Sequence, residues 1–180
     1  ITLCSVVPDA VYFVRTACIK YFGLTPFELK AGVKTGLKIL YRNPLEVGAD
    51  RIANSIAAIK RYPEQNLIIV DFGTATTFDV VDGDGAYIGG AIAPGVNLSL
   101  SALHQEAAAL PHVDIAKPLA VIGTNTVACM QSGVFWGYIG LVREICKRIK
   151  AEHARPMQVI STGGLAPLFQ AADTLFDYYE

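Results

Sequence analysis

The chain has 180 residues, 52% of them hydrophobic and 17% charged, with a formal net charge of -1; this much apolar content with so little charge excludes a disordered chain. Fifteen Lys and Arg stand against sixteen Asp and Glu, so no excess positive field exists for a phosphate backbone and no nucleic-acid partner is expected. No apolar run approaches the roughly 18 to 20 residues needed to cross a bilayer, so no membrane partner is expected.

The chain opens ITLCSVVPDAVYF, without an initiator Met or a signal-peptide pattern, and is expected to be part of a longer chain. Thr2 to Val7 is a short apolar run ended by Pro8, which predicts a strand feeding a helix through Asp9. Val11, Val14, Cys18 and Tyr21 recur at helical spacing. Gly23 to Gly36 is turn-rich and without period, and Leu37 to Tyr41 predicts a short strand before the Asn43-Pro44 turn. Ile52, Ile56 and Ile59 mark an amphipathic helix from Ala49 that Pro63 terminates, with Asp50 at its start. Leu67 to Val70 and Thr77 to Val81 read as strands, and Asp82-Gly-Asp-Gly85 as a hairpin turn leading to a third. Gly95 to Leu110 predicts a helix ended by Pro111, and Asn125 to about His153 one long helix or two. Gly133, Gly137 and Gly140 recur inside it at spacings of three and four, giving a smooth face suited to another backbone. Met157 to Ser161 predicts a last strand, with Thr162-Gly-Gly164 opening a final helix. Cys4, Cys18, Cys129 and Cys146 form no Cys-x-x-Cys pair and sit among apolar neighbours, so buried, reduced thiols and a cytoplasmic setting are expected.

Four motifs carry possible chemistry. In Asp71-Phe-Gly-Thr-Ala-Thr-Thr77, Gly73 allows a tight turn and the hydroxyls of Thr74, Thr76 and Thr77 are suitable donors to phosphate oxygens, with Asp71 placed to hold a cation; the alternative is an ordinary hairpin in which Asp71 bonds its own turn. In Gly48-Ala-Asp-Arg51, a carboxylate can accept a hydrogen bond from a substrate hydroxyl and a guanidinium can grip a substrate carboxylate. The alternative there is a plain N-cap at Asp50. Gly89-Gly-Ala-Ile-Ala-Pro-Gly95 and Thr162-Gly-Gly164 can bring backbone close to a ligand, or serve as structural turns. His104, His112 and His153 share no metal-ligand spacing, and neither a nucleophile elbow, a P-loop nor a Rossmann fingerprint is present.

In this order, Ser5-Val-Val-Pro8, Tyr41-x-Asn-Pro, Gly48-Ala-Asp-Arg51, Asp71-x-Gly-Thr-Ala-Thr-Thr77, Gly89-Gly-x-Ile-x-Pro-Gly95, Asn125-Thr126, Gln131-Ser-Gly133 and Thr162-Gly-Gly164 resemble the type III pantothenate kinases, a branch of the actin, hexokinase and Hsp70 superfamily. The resemblance implies transfer of the γ-phosphoryl group of ATP to the primary hydroxyl of pantothenate, the first step of coenzyme A synthesis. It implies Asp50 as proton acceptor and Tyr41, Gly48, Ala49, Asp50 and Arg51 as the pantothenate pocket. Thr74 is implied as an ATP contact, and Asp71 as the ligand of a monovalent cation, potassium or ammonium, with Mg2+ arriving on ATP. Thr126 is implied as a pantothenate contact from the neighbouring subunit, making the active unit a homodimer. The family's leading Asp-x-Gly-Asn-Thr phosphate loop does not occur before Ser5, and its last strand and helix are expected to be absent or cut short by Glu180.

The expected fold is α/β, of the ribonuclease H-like, actin-like kind with two lobes: a partial first lobe over 1–64 and a second over 65–180, with the ligand cleft expected between them. Two other readings stand beside this one. They are a transcriptional accessory factor of the same family, and another small-molecule kinase of the superfamily with a different acceptor.

Overall fold

Leu67, Ile68, Ile69 and Val70 are each 1% exposed or less, so the strand they form, β4 (Leu67–Phe72), is covered on both faces. It is one of eight strands and five helices in a computed structural model that describes residues 1–5, 7–107, 109–170 and 175–180. The chain is mixed α/β, and its described residues fall into two compact units, one of 1–65 with 80–89 and one of 66–79 with 90–180. Among the described residues no helix is long and apolar enough to cross a membrane.

In the first unit, β1 (Thr2–Cys4) pairs in parallel with β2 (Phe27–Leu29), and α1 (Pro8–Phe22) connects them. Pro8 suits the first turn of α1, where an N–H has no acceptor, and Gly23 closes the helix in the left-handed conformation at φ 65. β3 (Lys38–Ile39) lies parallel to the start of β6 (Ala86–Pro94), Ile39 opposite Tyr87. A single 3-10 turn, Pro44–Glu46, leads into α2 (Ala49–Arg61). Asp50 in its first turn and Lys60 and Arg61 in its last match the helix dipole at both ends. Val47, Ile52 and Tyr87 form the buried centre of this unit, with Leu29, Leu37, Ile39, Tyr41 and Ile56 packed around it.

In the second unit the strand order is β5 (Ala75–Val81), β4, β7 (Gln158–Thr162), β8 (Tyr178–Tyr179), and β4, β7 and β8 run parallel. α3 (Val96–Glu106) and the 28-residue α4 (Thr126–His153) belong here, as does the short α5 (Ala166–Gln170). The ring of Phe169 stacks on Phe72 at 4.8 Å and on Phe135 at 5.4 Å, tying α5 to β4 and α4. Tyr138 of α4 donates its hydroxyl to the Pro94 carbonyl at 2.9 Å, so the 2.6 Å contact with Ser99 is a bond that Ser99 donates.

Several expectations change. The stretch read as turns from Gly23 to Gly36 contains β2, whose three residues are too few to show a period. The predicted strand over Thr2 to Val7 is β1 alone; Val6 lies outside the described residues, as does Ala108 in the predicted helix Gly95 to Leu110. α4 is one helix, not two. Cys18 and Cys146 are buried, but Cys4 and Cys129 are exposed, because apolar sequence neighbours do not decide which side of an element faces inward. Gly89 to Pro94 continue the strand β6 and only Gly95 stands at a turn.

Candidate active site

The acceptor motif is assembled entirely within the first unit. Val47 and Ile52 are buried anchors, and the four residues between them enter α2 with Gly48 as the N-cap. Gly48 makes no side-chain cap bond, so Asp50 is the second helical residue and is not the cap. Its carboxylate is exposed, and Oδ1 accepts a hydrogen bond from the Arg51 N–H at 2.8 Å, which fixes the side chain over the open N-terminus of the helix. Arg51, by contrast, is buried. It is 8% exposed, and its guanidinium carbon lies 5.7 Å from the ring centroid of Tyr87. Tyr41, half-buried, comes within 6.2 Å of the same ring at a tilt of 52°. Cys4 at the end of β1 is close enough to Asp50 to feel its charge: burial first, then the Asp50 carboxylate, raise the thiol above its ordinary range.

The phosphate motif is built from three glycine turns of the second unit. Asp71 pairs with Thr162 in the parallel register of β4 and β7, so the bends that follow both strands lie at the same end. Gly73 donates its N–H to the Ala75 carbonyl at 3.1 Å and closes the first bend. Gly163 has φ 96, and a Cβ there would run into Asp71 Oδ1 and would stand 2.6 Å from the Phe72 nitrogen. Gly95, the N-cap of α3, is as tight: a Cβ would strike the Thr74 carbonyl and come within 2.8 Å of the Gly73 oxygen. Thus Asp71, Thr74, Gly95 and Gly163 meet in one place, which their sequence separation conceals.

The three hydroxyls of this motif stand in different surroundings. Thr74 is exposed at the bend. Thr77 donates to Asp79 Oδ2 at 3.2 Å, and Thr76 is wholly buried with no hydrogen-bond partner for its hydroxyl. Alternation along β5 turns Thr76 and Thr77 to opposite faces, and Thr74 stands at the bend before the strand begins. Asp71 Oδ1 and the carbonyl oxygens of Gly73 and Thr74 are brought to these bends, and no cluster of three His, Cys, Asp or Glu side chains occurs among the described residues. Such a set fits a hard cation better than a thiophilic one.

Thr126, exposed, opens α4. Asn125 caps that helix by accepting from the Ala128 N–H at 2.9 Å. Gln131 donates to the Asp114 carbonyl at 3.0 Å and Ser132 to the Val121 carbonyl at 2.5 Å, so the first turns of α4 hold the preceding loop. Gly133, Gly137 and Gly140 are exposed, and a Cβ at any of them would meet nothing within 4 Å.

A sequence profile of the type III pantothenate kinases matches residues 1–148. The chain belongs to the type III pantothenate kinase family. A type III pantothenate kinase of Roseobacter denitrificans is 60% identical over the whole of this chain and 70% of its own length. That of Dinoroseobacter shibae is 59% identical over 98% of this chain and 69% of its own length. Among solved structures, a conserved Campylobacter jejuni protein described as a Baf family transcriptional activator superposes with a TM-score of 0.51 at 18% identity, covering 80% of this chain and 61% of that one. The chain therefore spans about two thirds of the length of the proteins it matches, and the last comparison speaks for the fold alone.

Sequence reading of this pantothenate kinase family member does not reveal two neighbours of these motifs. Tyr87 follows a hairpin and carries no motif; its place beneath Arg51 depends on the pairing of β3 with β6. Gly163 reads as part of a glycine turn, but its contact with Asp71 depends on the β4–β7 register.

Proposed function

We propose that this chain transfers the γ-phosphoryl group of ATP to the primary hydroxyl of pantothenate, giving 4'-phosphopantothenate and ADP, the opening step of coenzyme A synthesis. The observation that carries the reading is the exposed Asp50 carboxylate, held by the Arg51 N–H in the first turn of α2, on a chain whose relatives of about 60% identity bear the name of this enzyme. Asp50 accepts the proton of the acceptor hydroxyl as the new O–P bond forms, and ADP leaves with the electrons of the broken bond. Phosphoryl transfer has a loose transition state, so alignment and charge neutralisation carry most of the catalysis. Arg51 grips the carboxylate of pantothenate, while Tyr41, Gly48 and Ala49 shape the pocket. Thr74 contacts ATP, which arrives as its magnesium complex.

Asp71, with hydroxyl and carbonyl oxygens of the adjoining bends, would hold a monovalent cation, potassium or ammonium, whose positive charge would offset that of the phosphates. The Asp71 carboxylate and the Gly73 and Thr74 carbonyls gathered at these bends favour this reading. Thr126 reaches the pantothenate site of a second subunit in a homodimer; the exposed glycine face of α4 supports the pairing. The fold is read as the two-lobed, ribonuclease H-like architecture of the actin superfamily, with lobes over 1–64 and 65–180, working in the cytoplasm. The balanced charge of the chain speaks against a transcriptional role.

The test is an acceptor panel. Purified protein is incubated with MgATP and potassium, and ADP formation is measured with pantothenate and with other hydroxy acids and sugars. The proposal expects turnover with pantothenate at least about tenfold above the rest, one decade being the effect of 1.4 kcal/mol of discrimination. Preference for another acceptor would move the chain to a different kinase of the superfamily.

A further inference from the structure

The strongest unexplained residue in the first unit is Tyr87. It is a large polar aromatic with no exposed surface, at the centre of the core cluster, and no part of the proposed chemistry uses it. Three of its contacts bear on the acceptor motif. Its ring lies beneath the Arg51 guanidinium at 5.7 Å. The same ring lies 6.2 Å from that of Tyr41. Its carbonyl accepts the Leu40 N–H at 2.8 Å, which sets the path of the chain one residue before Tyr41.

From this arrangement we infer that Tyr87 is a positioning residue that fixes Arg51 and Tyr41 for recognition of the acceptor's carboxylate. The inference rests on the acceptor reading given above. A guanidinium on a flexible stem samples many rotamers, and each must be lost before it can form a bidentate pair. A buried ring face holds the guanidinium plane in advance, and attraction between cation and π-system is strongest where water is excluded, as around an Arg51 that is 8% exposed. Tyr87 does not touch substrate; it lowers the cost of binding one. The chemistry it serves is specific, because only an anionic end of the acceptor benefits from an oriented guanidinium.

The experiment compares two acceptors, pantothenate and the neutral alcohol in which its carboxylate is reduced, in the native protein and in the variants Tyr87→Leu and Tyr87→Phe. Tyr87→Leu is expected to raise KM for pantothenate about tenfold, the size of a desolvated cation–π contact. It should leave KM for the neutral alcohol and for ATP within about twofold, and kcat near its native value, since uniform binding energy is what is lost. Tyr87→Phe, which keeps the ring face, should restore the native KM.

An equal rise in KM for both acceptors, or no restoration by Tyr87→Phe, would overturn the inference in favour of a purely structural role. Tyr87→Met fills a similar volume without a π face and replaces Tyr87→Leu if that variant does not fold. If neither folds, Tyr87→Phe decides: the ratio of the two acceptor KM values should stay native, and a shifted ratio overturns the inference. A native protein that does not phosphorylate pantothenate at all is a different outcome, which removes the acceptor reading and this inference with it.

Discussion

Gly163 lies against Asp71 so closely that a single methyl group on the glycine would collide with the carboxylate. The contact joins the ends of two parallel strands, and it explains why a residue without a side chain stands there, since φ is 96 as well as the space being filled. Gly163→Ala therefore meets both a strained backbone and the Phe72 nitrogen. Expected are a loss of about 1 to 3 kcal/mol of stability from the backbone alone and a raised KM for ATP. Thermal melts and steady-state kinetics check it; an alanine variant with native melting temperature and KM would contradict the packing described.

The cap of α4 offers a smaller and cleaner effect. Asn125→Ala removes the acceptor for the Ala128 N–H and should cost about 1 kcal/mol, read from urea denaturation. Asn125→Asp, which keeps the oxygen, should restore most of it. Equal losses in both variants would mean that the amide nitrogen, not the cap, matters.

Burial pushes the Cys146 thiol up to about 12, against an opposing pull from Lys150. Below the ordinary thiol pKa the group is protonated in both folded and unfolded chains and contributes nothing pH-dependent. Above about 9 the unfolded chain releases this proton and the folded one retains it, so stability falls as pH rises toward 12, with a limiting slope of about 1.4 kcal/mol per pH unit. Denaturation curves of the native protein and of Cys146→Ala between pH 8 and 10.5 test this: the native slope should be the steeper. Identical slopes would show that the thiol ionises as freely inside as out.

Much of the fold was legible because its signals are local. Ile52, Ile56 and Ile59 announce α2 through their spacing, and Pro63 announces its end; the apolar run from Leu67 announces β4. β2 was not legible, since Phe27, Glu28 and Leu29 form a strand only by pairing with Thr2 to Cys4. The division of labour among Thr74, Thr76 and Thr77 was half-legible. Alternation along a strand separates Thr76 from Thr77, but nothing local tells that Thr74 stands outside the strand, at the bend. Tyr87 was not legible at all, because nothing in its neighbours Ala86 and Ile88 tells of Arg51, and only the assembled core brings the two together.

The central claim is that the Asp50 carboxylate takes the acceptor proton. The most direct measurement is the turnover of purified Asp50→Asn with saturating MgATP, potassium and pantothenate, beside a melt that shows the variant folded. General-base catalysis of ordinary strength predicts a fall in kcat of about 10² or more, with KM for ATP near its native value. A folded Asp50→Asn protein that turns over pantothenate at the native rate would contradict the account.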